Sequence, residues 1–202
     1  MRQTTDVDRH WREVEYLVID IETTGLDPRR DALVSYGAVP IREGRIKTTE
    51  GAYSLVNPRR DVPAKSVRVH GLRAQDLFDA PSAEECFARL LPLMEGRILV
   101  AHAAWIERGF LRRIFKSSKT PFHYPVVDTA ELARHVLSLE PRPGAAVSLE
   151  YAATSLRLPV HTPHHALGDA MTTAELFLLL TNRLDAHGDL SARKLLQMSA
   201  DA

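Results

Sequence analysis

The chain has almost no cysteine, no excess of charge and no long apolar run. Cys86 is the single cysteine among 202 residues, so no intrachain disulfide can form. A lone thiol in a helical segment fits a small core residue in a reducing cytosol. Lys+Arg and Asp+Glu are both 26, giving a formal net charge of zero. That balance weighs against a long electrostatic track for a polyanion, which must be held by local basic patches or by bound metal. No apolar stretch approaches the ~20 residues that span a bilayer. The opening "MRQTTDVDRHWREVE" is too charged for a signal peptide. These absences predict a soluble cytoplasmic protein with no membrane partner.

What is present is a hydrophobic content of 45%, enough for one sizeable core. Residues 1–14 are polar and predict a loosely attached N-terminal arm. The domain proper is expected over residues 15–186, followed by a C-terminal segment, 187–202, in which "LSARKLLQMS" has helical spacing. "YLVID" (16–20) predicts a short buried strand, "ALVSYGAVPI" (32–41) a second, and "REGR" (42–45) a hairpin turn before a third within 47–57. Short turns make those three strands antiparallel.

Helical periodicity then takes over. "SAEECFARLLPLMEG" opens on Ser82 with Glu85 as its capping-box partner and closes at Gly96, with Pro92 weakening the last turn. "RILVAH" (97–102) is a buried strand. "AAWIERGFLRRIFK" (103–116) is a helix with Ile106, Phe110 and Ile114 on one face. "PVVDT" (125–129) is a strand, "AELARHVLSL" a helix, "PRPG" (141–144) a loop and "SLEYAATSLRL" a helix capped by Ser148. "ALGDAMTTAELFLLLTNRL" (166–184) is the longest helix. The expected architecture is α/β: a mixed five-stranded sheet, three antiparallel strands and then two parallel, flanked by helices.

One strand ends oddly. In "YLVIDIETTG" an apolar run leads into Asp20 and Glu22. The i, i+2 spacing puts both carboxylates on one face of a strand, about 6–7 Å apart. Buried unpaired, they would repel each other. A hard divalent cation removes that cost; a solvated strand end would serve equally well. Glu107, on the first turns of a helix after a buried strand, and Asp169, near the start of the last long helix, each stand beside apolar core sequence. Three distant segments therefore place acids at the edge of the core.

At these residues the chain resembles the DEDDh exonucleases of the ribonuclease H-like superfamily, the group that includes the proofreading subunit of bacterial replicative polymerases. "DIETTG" (20–25), "HAAWIERGFL" (102–111) and "HHALGDAMTT" (164–173) are similar to its three motifs, in order, and "VHGL" (69–72), "DLFDAPS" (76–82) and "VDTAELAR" (127–134) fit between them. The departures are in the second motif. Ala103 replaces the usual Asn and Ile106 the usual Phe. Glu107 stands for Asp, with a reach about 1.5 Å longer.

The resemblance implies metal-dependent 3′–5′ hydrolysis of phosphodiester bonds at the 3′ end of single-stranded DNA or RNA, releasing 5′-mononucleotides. Asp20, Glu22, Asp169 and Glu107 would hold two divalent cations, Mg²⁺ or Mn²⁺, and His164 would be the general base. Asp169 lies five residues after His164, so His164 belongs on the loop before the helix, where Pro163 supports a break. Thr23, Thr24, Leu26, Val69 and His70 would contact the terminal nucleotide. The competing readings are exoribonuclease trimming and a degenerate exonuclease fold used as a binding subunit. A polymerase or another replication or repair protein is the implied protein partner. "VHGL" also fits a helix end at Gly71, and "HTPHH" (161–165) a zinc patch, though zinc normally takes four close N/S ligands. Asp128 is expected to be structural. Basic clusters at 29–30, 58–60 and 112–116 fit either substrate contact or solvated faces.

Overall fold

The protein is described by a computed structural model over residues 5–140 and 146–200. The loop expected at 141–144 lies outside the described residues. Among the described residues six strands form one sheet: β1 (Tyr16–Thr23), β2 (Leu33–Arg42), β3 (Arg45–Ile46), β4 (Ala52–Leu55), β5 (Ile98–Ala101) and β6 (Val126–Asp128). The described residues also form seven α-helices: α1 (Ala64–His70), α2 (Ala83–Met94), α3 (Trp105–Ser117), α4 (Thr129–Val136), α5 (Leu149–Ser155), α6 (Ala166–Leu184) and α7 (Ala192–Met198).

β1 is central. It pairs antiparallel with β2 on one side and parallel with β5 on the other, and β5 pairs parallel with β6. Alternation along β1 splits the core. Tyr16 and Val18 pack against Phe177, Ala174 and Leu180 of α6. Leu17, Ile19 and Ile21 pack with Phe87, Phe110 and Phe115 of α2 and α3 on the opposite face. Asp20 and Glu22 share the parity of Tyr16 and Val18, so they continue the α6 face.

The five expected strands are present, and the third carries one refinement. Glu43 and Gly44 have φ of 54° and 65°, as a two-residue type I′ hairpin requires. The returning chain then pairs with β2 twice, as β3 against Ile41–Arg42 and as β4 against Ser35–Ala38. Between them Thr48–Glu50 winds into a 3-10 turn and leaves the ladder. The Ser82–Glu85 capping box forms, with Ser82 Oγ accepting from the Glu85 N–H. Helix α1 ends at Gly71, whose φ of 77° is the left-handed stop the sequence predicts.

The N-terminal segment corrects the expectation of a loose arm. Trp11 is fully buried and meets Phe177 edge-on at 6.4 Å between ring centres. Its indole N–H donates to Asp185 Oδ2 at 2.9 Å, and its backbone N–H donates to the Leu190 carbonyl at 2.9 Å. The Arg193 N–H donates to the Val7 carbonyl, and Arg193 pairs with Asp8. Residues 7–14 and the segment carrying α7 therefore hold each other against the main core. Average polarity hid this because Trp11 and Val14 are buried within a segment that is otherwise polar.

Candidate active site

The parallel strands β1, β5 and β6 end on the same side of the sheet, and the acids gather there. Asp20 and Glu22 come from the end of β1. Glu107 comes from the first turn of α3, which follows β5. Asp169 comes from the first turn of α6. Ligand atoms of Glu22, His164 and Asp169 lie within 4.8 Å of one another. Asp20 completes the group: burial holds its pKa well above the usual carboxylate range, and Glu107, Asp169 and Glu22 each raise it further.

Glu107 is the most telling member. It lies on the apolar face of α3 with Phe110, Leu111 and Ile114, is only 4% exposed, and its Oε2 is buried with no hydrogen-bond partner. Burial, with Asp128 and Glu22 adding repulsion, pushes its pKa up to about 8. Burial and Asp169 push Glu22 to about 8 as well, and burial raises Asp169. An orphaned buried carboxylate oxygen and an all-oxygen set of carboxylates fit a hard divalent cation.

The pH consequence has a definite sign. Glu22 and Glu107 bind protons more tightly when folded than when unfolded. Their contribution to stability is full below their unfolded pKa of ~4.3 and is lost as pH rises through about 8. The metal-free protein should therefore melt at a lower temperature as pH rises from about 5 to about 8.5. The gap between melting temperatures with Mg²⁺ and with chelator should widen over the same range. Scanning calorimetry in paired buffers checks this; a gap that stays constant would contradict it.

Two groups set the geometry of the second motif. Asp128, at the end of β6, accepts from the Ala103 N–H at 3.0 Å, the Ala104 N–H at 2.8 Å and the Ala130 N–H at 2.9 Å. It ties the turn before α3 to the start of α4, the structural role expected of it. His102 is hydrogen-bonded through Nδ1 to Thr129 Oγ1 at 2.9 Å and through Nε2 to the Val147 carbonyl at 2.6 Å. Both ring nitrogens are engaged, so His102 positions the turn and offers no free base. Ala103 sits at φ 55°, a left-handed conformation that asparagine tolerates better than alanine. Ala103→Asn should stabilise the fold by about 1 kcal/mol, raising the melting temperature by about 2–4 °C. Thermal denaturation of the pair checks it, and a fall would show that the turn is not strained.

The three histidines of "HTPHH" go different ways. His161 Nε2 lies 3.0 Å from Glu175 Oε1. The His165 ring stacks on Tyr53 at 4.5 Å between centres. His164 is exposed on the loop before α6 at φ 59°, and its N–H donates to Asp169 Oδ2 at 2.9 Å. The three do not converge as a zinc set would.

The remaining candidates flank the acids. Thr23 and Thr24 are buried. The Thr23 hydroxyl donates to the Gly25 carbonyl, while Thr24 Oγ1 bonds Asp31 and accepts from the Ala32 N–H. The Thr24 carbonyl accepts from Ser66 Oγ at 2.7 Å, fastening α1 to the end of β1. Leu26 and Val69 are large apolar residues left 61% and 49% exposed. His70 lies beside the Thr23 backbone and His164; burial lowers its pKa, and its Nε2 has no hydrogen-bond partner of good geometry.

Sequence reasoning missed Gly37. It faces Asp20 across the β1–β2 ladder. A Cβ there would lie 2.3 Å from the Ala166 carbonyl oxygen and 2.4 Å from the Leu167 nitrogen. The first turn of α6 crosses β2 in backbone contact at this point, and the same turn carries Asp169, which lies close enough to Asp20 to raise its pKa. A glycine inside a strand is the signal that could have marked it.

The mixed sheet thus gathers its carboxylates where its parallel strands end. The chain belongs to the RNase_T family, described as exonuclease, whose model matches residues 17–177. A DNA polymerase III subunit epsilon-like protein of Rhodobacter capsulatus is 39% identical over 181 residues, 87% of this chain and 25% of that protein. A PolC-type DNA polymerase III of Thermotoga petrophila is 33% identical over 172 residues, 85% of this chain and 12% of that protein. The chain thus spans a quarter or less of these relatives' length. Exonuclease X, solved in complex with 5′ overhanging duplex DNA, has the same fold: the TM-score is 0.70 over 91% of this chain and 99% of that one, at 24% identity. No helix among the described residues is long and apolar enough to cross a membrane.

Proposed function

We propose that the chain is a metal-dependent 3′–5′ exonuclease that shortens single-stranded DNA from its 3′ end and releases 5′-mononucleotides. One observation carries this reading: Glu22, Glu107 and Asp169, from three distant segments, each lie close enough to Asp20 to raise its pKa, and the buried Glu107 Oε2 has no hydrogen-bond partner. Asp20, Glu22, Glu107 and Asp169 would hold two divalent cations, Mg²⁺ or Mn²⁺. Bound there, the cations would lower the pKa of a water and stabilise an in-line displacement at phosphorus.

The chain's own residues supply the rest. His164 is the general base; its loop position leaves the ring free to meet the water, while its backbone is anchored to Asp169. Leu26 and Val69 form the apolar walls for the terminal base, with His70 between α1 and the acids. Thr23 and Thr24 contribute through the main chain, because their hydroxyls are engaged internally. A polymerase or another replication or repair protein in the cytoplasm is the partner this reading implies.

The test uses end-labelled single-stranded DNA and RNA with Mg²⁺, Mn²⁺ or chelator. Cleavage is expected from the 3′ end only, faster on DNA, and absent with chelator, in Asp20→Ala and in His164→Ala. Faster RNA cleavage would move the assignment to exoribonuclease. Activity that survives chelator and both substitutions would overturn the mechanism, and no cleavage with either metal would leave a binding subunit.

A further inference from the structure

One of the neutral chain's basic clusters stands beside an exposed aromatic ring. Between residues 58 and 70, Arg59, Arg60, Lys65 and Arg68 are all exposed, and Asp61 is the only acid. None of these four cations forms a salt bridge among the described residues. Arg59 and Arg60 line a cleft of about 870 Å³ whose other wall carries Phe78. Phe78 is 77% exposed, the highest value among the large apolar residues.

The walls are fixed to each other. The Asn57 side chain accepts from the Arg59 N–H at 2.8 Å and donates to the Phe78 carbonyl at 2.8 Å. Arg59 is held at φ 50°, a conformation costly for arginine. Arg60 donates to the Arg30 carbonyl, which joins the cleft to the loop after β1.

The cleft also points at the acids. Pro63, on its rim, is the N-cap of α1, and α1 ends at His70 beside Thr23 and His164. Seven helical residues span about 10 Å. Lys65, Arg68 and Val69 stand three and four residues apart, so one face of α1 runs from the cleft to the site.

We propose that this cleft binds the stretch of single-stranded nucleic acid just upstream of the 3′ end. Its phosphates lie on Arg59, Arg60, Lys65 and Arg68, and one base stacks on Phe78. Cationic side chains beside an exposed aromatic ring are what sequence-tolerant single-strand binding requires. The proposal rests on the exonuclease reading for the direction of the strand.

Two assays separate the two claims. One is hydrolysis, comparing an oligothymidine of about ten nucleotides with the small ester thymidine 5′-p-nitrophenyl phosphate. The other is anisotropy of the same labelled oligothymidine with Ca²⁺ over a salt series. The Arg59→Ala/Arg60→Ala double variant should raise KM for the oligomer about tenfold and leave the ester unchanged. Its log–log salt slope should fall by about 0.7 for each lost phosphate contact. Phe78→Ala should weaken oligomer binding, and Phe78→Trp should restore it. Unchanged affinity and salt slope in these variants would overturn the proposal, even if the wild type hydrolyses both substrates. A wild type that binds the oligomer through these residues but hydrolyses neither substrate would sink the exonuclease reading and keep the binding site.

Discussion

Glu107→Gln is expected to cut turnover by at least about 100-fold while making the metal-free protein more stable near pH 8. The two effects share one cause. Glutamine keeps the volume and removes the charge from a carboxylate that is 4% exposed, unpartnered at Oε2 and pushed up to about 8 by burial. The fold gains what it no longer spends on a buried anion, and the cation set loses a ligand. Glu107→Asp should keep more activity than Glu107→Gln, because the ligand chemistry survives a reach about 1.5 Å shorter. Single-turnover rates and melting curves in chelator, measured on the same preparations, check the pair. A Gln variant with wild-type turnover would remove Glu107 from the site. Lost turnover together with lost stability would mean that the side chain is structural.

Gly37→Ala should be nearly as damaging, although it adds a single methyl group and no charge. The new Cβ would sit 2.3 Å from the Ala166 carbonyl oxygen. That atom is helix backbone, so relief requires moving the start of α6. Overpacking of this kind costs about 1–3 kcal/mol. The shift also moves Asp169 away from Asp20, and a displacement of about 1 Å at a reacting centre can cost about 100-fold in rate. The variant should remain folded by circular dichroism, with a melting temperature lower by about 2–10 °C and turnover down by about 100-fold. Wild-type activity would show that β2 and α6 separate freely, and that Asp169 is not positioned by this contact.

Much of the fold was legible because local pattern and tertiary role agree. "YLVID" is apolar on both parities since β1 is covered on both faces, and the acids appear where that cover ends. The order of strands and helices followed from periodicity, and the Ser82, Ser148 and Gly71 boundaries from capping chemistry. What was not legible depends on contacts distant in sequence. Trp11 looked like part of a polar arm because its partners, Phe177, Asp185 and Leu190, are more than 160 residues away. Gly37 looked like an ordinary strand residue because the helix that crosses it begins at Ala166. At the site, residue types named the acids and His164. Burial alone distinguishes Glu107, whose unpartnered oxygen no spacing rule reveals. The second motif also shows how a departure is absorbed: Ala103 takes a left-handed turn against its preference, held by Asp128.

The central claim is that Asp20, Glu22, Glu107 and Asp169 form one cation site, and direct counting of bound metal tests it. Metal-free protein titrated with Mn²⁺ in the presence of a 5′-mononucleotide, followed by calorimetry and by the Mn²⁺ resonance signal, should bind two ions per chain. Asp20→Asn should abolish tight binding without unfolding the protein. Absence of Mn²⁺ binding by the wild type, or binding that Asp20→Asn leaves unchanged, would contradict it.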